Sequence, residues 1–350
     1  MTATRLGHAG VRSSSRAGGV GWSVVAVRTV IAVGLLMGVG ASEAGWRLFG
    51  QLEAMEGLSP DDPFTFRIRR ARFIGEEDLG NGRTLVIKLS GDEAKTSLLD
   101  AHFSAELGDH LRVRVGRFKK PFSREALRGA RKLHTGDRGI VNDLFGENDL
   151  ALAGHGSRLD YCGRDIGISL RGKTTLWERD LSADIGIFNG RGSDRSDNDD
   201  EKVLAGRVEA ELTSDLDLGA SWSWQAAGAG PLAQAWGMDG RFNHSRLEAW
   251  GEVLFGRNAW LPDAPDMIGT TGQLTAKWGN FRPGIRLERV DPVRDVLWNA
   301  AWSFTAYASV LPWKGEQLIA EYGRVWFAHD PEAPAPDPWR TFRIVLRMWE

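Results

Sequence analysis

Apolar and polar residues alternate along most of this chain, and that alternation is its dominant signal. Leu216, Leu218, Ala220, Trp222 and Trp224 form one apolar row, with Asp217, Ser221, Ser223 and Gln225 between and beside them. Successive side chains of a strand point to opposite faces, so a period of two predicts a strand with one greasy face. The pattern recurs in Leu85/Ile87/Leu89 against Thr84/Lys88/Ser90, and in Leu99/Ala101/Phe103/Ala105/Leu107 against Asp100/His102/Ser104/Glu106. It returns in Ile166/Ile168/Leu170 against Asp165/Ser169/Arg171.

Segments of this kind predict about sixteen strands. In the first half they fall at 46–54, 64–74, 83–90, 97–107, 111–118, 164–172, 181–190 and 203–213. In the second half they fall at 215–226, 233–242, 245–256, 269–278, 281–290, 299–311, 315–327 and 339–349. A soluble sandwich would alternate too, so the connections decide. Even-numbered ones are tight, as at Gly108-Asp109-His110, Ser214, Asn243-His244, Gly279-Asn280 and Pro312-Trp313-Lys314. Odd-numbered ones tend to be long and include 119–163, 191–202, 257–268 and 328–338. Short turns on one side and long loops on the other mark an outer-membrane barrel, whose closure leaves no unpaired strand edge in lipid. The expected fold is all-β, a transmembrane antiparallel β-barrel of about 16 strands. Many segments are near ten residues long, enough to cross a bilayer at a tilt. Several of the 15 tryptophans, among them Trp46, Trp278, Trp298, Trp313, Trp326, Trp339 and Trp349, stand near strand ends, where aromatic girdles meet the two water interfaces.

The N-terminus sets the compartment. Arg5, Arg12, Arg16 and Arg28 precede an apolar run from Thr29 to Val39, and small residues follow in Val39-Gly40-Ala41 and Ser42-Glu43-Ala44. This is the layout of a secretory signal peptide over residues 1–44, cleaved after Ala41 or Ala44, with the barrel expected over 45–350. The apolar run is too short to span a bilayer, and no second run near 18 residues follows it. Localisation in the bacterial outer membrane follows. Removing the leader's four arginines and Glu43 from 44 basic and 46 acidic residues leaves 40 against 45, a mildly acidic chain that lacks the basic balance of a nucleic-acid binder. A single cysteine, Cys162, leaves no internal disulfide framework for an oxidising compartment.

Net charge hides a local concentration of cations. From 119 to 138 seven basic residues, Lys119, Lys120, Arg124, Arg128, Arg131, Lys132 and Arg138, face only Glu125 and Asp137. On the preceding strand Arg112 and Arg114 alternate with Leu111, Val113 and Val115, so the arginines face the lumen if the apolar row faces lipid. Arg171 holds a polar position on the strand after the long loop. A unit charge 4 Å from an anion is worth about 1 kcal/mol in bulk water and about 4 kcal/mol at an effective dielectric near 20, so confinement decides whether such cations select.

At this segment the chain resembles a known family. Leu111-Arg112-Val113-Arg114-Val115-Gly116-Arg117-Phe118-Lys119-Lys120-Pro121-Phe122-Ser123 is similar to the RVGxFKxPFS signature of the phosphate-selective porin O and P family. Phe66-Arg67-Ile68-Arg69-Arg70-Ala71-Arg72, Arg164-Asp165-Ile166-Gly167, Gly186-Ile187-Phe188-Asn189-Gly190 and Ala205-Gly206-Arg207-Val208 match in order across 64–208, while the second half matches only in pattern. The resemblance implies a sixteen-stranded barrel whose third outer loop folds inward. It also implies a homotrimer and passive diffusion of small hydrophilic solutes, anions foremost and phosphate or polyphosphate among them, through a basic constriction. Carried onto this chain, the anion-binding constriction comprises Arg112, Arg114, Lys119, Lys120, Arg124, Arg128, Arg131, Lys132 and Arg171. The expected partners are the lipid bilayer, small anionic or polar solutes and the barrel insertion machinery, with no nucleic acid and no cofactor. Two departures stand out. The aromatic Trp349 is penultimate and out of phase with Phe342/Ile344/Leu346/Met348, and the chain is compact for the family.

Three alternatives stay open on the residues alone. The loop's cations could pair with Glu125, Asp137, Asp143, Glu147, Asp149 and Asp160 of the same loop and fix its fold against the wall, while lumen-facing acids such as Asp100, Glu106, Glu209, Glu211, Glu248 and Glu252 dilute the positive track, leaving a weakly selective general porin. The loop could plug a structural barrel. A barrel hydrolase using Ser169 or Ser221 lacks a Gly-x-Ser-x-Gly elbow, and the expectation is a channel and not an enzyme. The acidic run Asp194, Asp197, Asp199, Asp200 and Glu201 lacks calcium-hairpin order, and His102, His110, His134 and His155 lack metal-ligand spacing.

Overall fold

The computed structural model describes residues 45–55, 64–92, 95–146, 161–190, 202–225, 232–257, 266–292, 294, 299–329 and 337–349. The leader at 1–44, the acidic run at 194–201 and the part of the long connection that holds His155 lie outside them. The strands of the first half are β1 (Gly45–Met55), β2 (Thr65–Gly80), β3 (Arg83–Asp92), β4 (Lys95–Leu107), β5 (Leu111–Lys119), β6 (Arg164–Leu176), β7 (Arg179–Phe188) and β8 (Val203–Thr213). Those of the second half are β9 (Leu216–Gln225), β10 (Ala233–His244), β11 (Leu247–Arg257), β12 (Met267–Ala276), β13 (Phe281–Asp291), β14 (Ala301–Val310), β15 (Glu316–Phe327) and β16 (Trp339–Trp349).

Each strand pairs antiparallel with its sequence neighbours, and β1 closes on β16 from Phe49↔Trp349 to Met55↔Arg343, giving a closed 16-stranded barrel. Closure satisfies every strand edge, the condition for a sheet to stand in hydrocarbon. Among the described residues no helix is long and apolar enough to cross a membrane. The alternation fixes which face goes where. Val115, Ile168, Leu170 and Ile187 are about half exposed on the outer face, whereas Gln51, Glu53, Asp239, Glu252 and Arg347 on the opposite face are buried.

Two strands run further than the alternation indicates. β2 continues to Gly80 through Glu76, Glu77 and Asp78, and β6 continues through Lys173-Thr174-Thr175. Polar residues break the apolar row there, yet ladder pairing persists to Gly80↔Arg83 and Leu176↔Arg179. The turns explain both ends. Asn81 and Gly82 have φ of 55° and 70°, and Trp177 and Glu178 have 50° and 62°, the left-handed values of two-residue hairpin turns whose twist matches the strands. Within the family signature Gly116 has φ 123°, and a side chain there would run into the backbone of Ala101 and His102 on β4. Only glycine fits that approach.

Candidate functional site

The connection from β5 to β6 supplies the site's framework. Ser123 caps a short helix, Arg124–Leu127, by accepting from the Ala126 amide. A 3-10 turn follows at Ala130–Lys132, and a second helix at Ile140–Phe145. Phe122, Val141, Leu144 and Phe145 pack with Tyr161 against Ala235, Leu254, Met267, Val290 and Ala301 of the wall in one buried cluster.

Charge pairing between this segment and the strands is reciprocal. Arg124 pairs with Asp239 on β10 and Asp217 on β9, and the Arg128 guanidinium donates to Glu248 on β11 at 2.5 Å. In return the loop's Asp137 accepts from Arg69 at 3.0 Å and Arg70 at 2.5 Å on β2, and Glu125 accepts from Arg286 on β13 at 3.3 Å. Burial raises a carboxylate's pKa, yet the Arg70 and Arg69 guanidiniums hold Asp137 well below the usual carboxylate range. For Asp143, burial with Asp137, Glu288 and Glu125 nearby outweighs the attraction of Arg286 and pushes it well above that range. Burial raises Glu125 as well, with Glu288 adding to the rise against Arg286. Arg124 and Arg128 therefore find their acids across on the strands, while Arg138 lies beside Glu125 and Asp137 of its own segment.

The backbone is held as firmly as the charges. Arg347, fully buried on β16, donates to the carbonyls of Leu133 at 2.7 Å, Thr135 at 2.5 Å and Gly136 at 2.7 Å. Its Nε and Nη1 also donate to Gln51 on β1 at 3.2 Å and Gln317 on β15 at 3.1 Å. The Gly136 amide donates to Glu321 at 2.7 Å, and Ser123 Oγ donates to Glu252 at 2.8 Å.

Beside this segment lies a cavity of about 1040 Å³. Of its lining side chains fourteen are Arg or Lys and four are Asp or Glu. Seven of the nine sequence-predicted residues line it: Arg114, Lys119, Arg124, Arg128, Arg131, Lys132 and Arg171. They differ in how they are engaged. Arg131 and Lys132 are exposed, and among the described residues no acceptor reaches the buried Nε of Arg114 or Arg171. Arg124 and Arg128 are committed to the wall acids, and Lys119 Nζ donates to the Ala126 carbonyl. The other two residues stand apart. Arg112 pairs with Glu106 at 2.5 Å in the ladder next to the 108–110 turn, and Lys120 is buried with its amide on the Gly163 carbonyl.

Sequence reasoning missed the cations that single strands contribute: Arg72, Arg164, Arg207, Arg241 and Arg282 all line the cavity. Three of them lie within matched motifs, and each holds a polar position in its strand, which was the available signal. Some are locked, as Arg207 is to Asp239 at 2.5 Å and Arg164 to Asp100 at 2.6 Å. Among the described residues no group of three or more His, Cys, Asp or Glu could hold a metal ion.

A closed antiparallel barrel with an apolar outer face and a cation-rich interior defines an outer-membrane porin, a channel rather than an enzyme. The chain belongs to the phosphate-selective porin O and P family, which residues 47–229 match. No curated protein matches it. Among solved structures, the anion-selective porin from Comamonas acidovorans is similar at a TM-score of 0.61 and 14% identity, over 88% of this chain and 99% of that one. Pseudomonas putida OprB matches at 0.61 and 8% identity, over 88% and 94%. The trimer form of in-vitro folded OmpT from Vibrio cholerae matches at 0.58 and 12% identity, over 88% and 99%.

Proposed function

We propose that this porin passes small hydrophilic solutes by passive diffusion and prefers anions, phosphate or polyphosphate among them, at a constriction between strands β5–β6 and an inward-folded segment 120–146. The observation that carries this is the excess of fourteen cationic over four acidic side chains around one cavity. Confined cations attract an anion several-fold more strongly than exposed ones, because the local dielectric is lower. Hydrogen bonds exchanged between segment 120–146 and the buried polar faces of β1, β10, β11, β13, β15 and β16 support its inward placement.

Within the site two roles divide. Arg124 and Arg128, already neutralised by Asp239, Asp217 and Glu248, brace the segment. Arg114, Arg131, Lys132 and Arg171 face the solute. A homotrimer is the proposed assembly, in keeping with the trimer form of the V. cholerae neighbour. The test is the zero-current potential of the refolded protein in a planar bilayer under a KCl gradient. An anion-selective potential that collapses as phosphate is added is expected. R114Q/R171Q should move it toward cations, and an unchanged potential would refute the assignment of these arginines. Absence of any current would favour a plugged structural barrel.

A further inference from the structure

The outward face of β13–β16 departs from the apolar rule at one end. Arg289, Arg324 and Arg340 occupy outward positions in line with the exposed Leu287, Tyr322 and Phe342. All three lie near the ends that carry the long connections, the side that faces outside. The ladder brings them together. Arg289 pairs in register with Trp302 and Trp302 with Trp326, while one rung inward Phe304 pairs with Arg324 and Arg324 with Arg340.

Like charges directly opposite on neighbouring strands repel, and Arg324↔Arg340 is such a pair. Among the described residues the one acid paired with any of the three is Asp291, 3.5 Å from Arg289. The Arg324 guanidinium instead stacks over the Trp326 ring at 4.9 Å, and that of Arg289 over Trp302 at 5.8 Å. Stacking fixes the planar forks without neutralising them. Next to them the wall is hollowed. Gly272 leaves open space on the outer face, and a depression of about 620 Å³ lies among Gly272, Leu287, Arg289, Trp302, Phe304 and Trp326.

An apolar depression lined by Arg289, with Arg324 and Arg340 next along the rung of Phe304, has the make-up of an amphiphile site. Acyl chains suit the depression, and a phosphate between Arg324 and Arg340 would relieve their repulsion with bidentate, charge-assisted bonds. A zwitterionic lipid carries beside its phosphate a quaternary ammonium that the arginines repel, and a free anion lacks the acyl chains.

We propose that Arg289, Arg324 and Arg340, with Trp302 and Trp326, form a binding site on the outer wall for the phosphate headgroup of an outer-leaflet lipid. Native mass spectrometry of the refolded full chain in detergent, with diphosphoryl lipid A as the probe, tests it. The wild type is expected to retain the lipid, and R324Q/R340Q to weaken retention at least tenfold, while phosphatidylcholine binds both alike. Equal retention of lipid A by wild type and variant overturns the proposal. Displacement of lipid A by inorganic phosphate at the same concentration also overturns it, since the ligand would then be the free anion. Should the double variant fail to fold, judged by heat-modifiable gel mobility, R289Q gives the same readout from the other side of the ladder. Conductance reads the lumen and is expected to be unchanged, so the outcome is independent of the channel's selectivity.

Discussion

At the scale of single residues, two side chains govern how segment 120–146 is seated. Arg347 serves three carbonyls at once, at Leu133, Thr135 and Gly136, and each buried carbonyl left unpaired costs about 1–3 kcal/mol. Arg347→Met keeps the apolar stem and removes every donor. The expected result is a segment loosened by about 2 kcal/mol or more, read in bilayers as larger and noisier single-channel current with the barrel still folded. Asp137 acts through charge. Its pKa is held below the unfolded value, so its contribution is complete above the ordinary carboxylate pKa of about 4 and is lost as pH falls below that toward the depressed value. Asp143 and Glu125, raised by burial, act in the opposite sense: their contribution is present at low pH and lost as pH rises through their raised values. Asp137→Asn leaves Arg69 and Arg70 without their acid, and breaking such a pair costs about 3 kcal/mol. The variant should show at neutral pH the current noise that the wild type reaches only below pH ~4. A quiet variant channel at neutral pH would remove Asp137 as an anchor.

At the scale of elements, the hairpins show where sequence pattern suffices and where it stops. Sixteen strands follow from alternation because burial of one face imposes a period of two, and a one-residue slip would turn every apolar side chain inward. The ends of β2 and β6 were not legible, since Glu76–Asp78 and Lys173–Thr175 pair in the ladder without an apolar row to mark them. The β6–β7 turn carries the cost of that irregularity, because Glu178 adopts φ 62° without being glycine. A non-glycine residue there costs about 1 kcal/mol. Glu178→Gly should therefore raise the urea midpoint of the refolded barrel, followed by far-UV circular dichroism, by an equivalent amount; a lowered midpoint would show that the side chain contributes more than its backbone strain. The site was legible to a different degree. A run of seven cations in 119–138 announces itself, but the acids that neutralise Arg124 and Arg128 lie more than eighty residues away, at Asp217, Asp239 and Glu248. Periodicity tells which face a residue takes and is silent on its height in the barrel or on what lies opposite. For the same reason Arg72, Arg241 and Arg282, which no local run of cations marks as lining the site, were not assigned to it although the fold gathers them around one cavity.

At the scale of the whole molecule, the sign of the charge depends on where it is counted. The chain beyond residue 44 carries 40 basic against 45 acidic residues, whereas the cavity lining carries fourteen against four. Selectivity set by net charge would favour cations weakly, while selectivity set by the cavity favours anions, so the two predict opposite signs of the zero-current potential. They also differ in response to salt. Mobile ions screen over about 10 Å at 0.1 M and about 3 Å at 1 M, and an open mouth loses its field over that range. A confined ring close to the permeating ion keeps much of its attraction, because screening acts weakly on partly buried charges. The anion-to-cation permeability ratio is thus expected to stay above one from 0.1 to 1 M KCl and to fall only partly. A ratio near unity already at 0.1 M would mean that the wall acids cancel the cavity's cations, as Asp239 and Glu248 do for Arg124 and Arg128. A strong ratio at 0.1 M that vanishes at 1 M would place the selecting charges at the mouths, outside the cavity lined by Arg114 and Arg171. R114Q/R171Q separates these cases, since it should lower the ratio at both salt concentrations only if the lining selects.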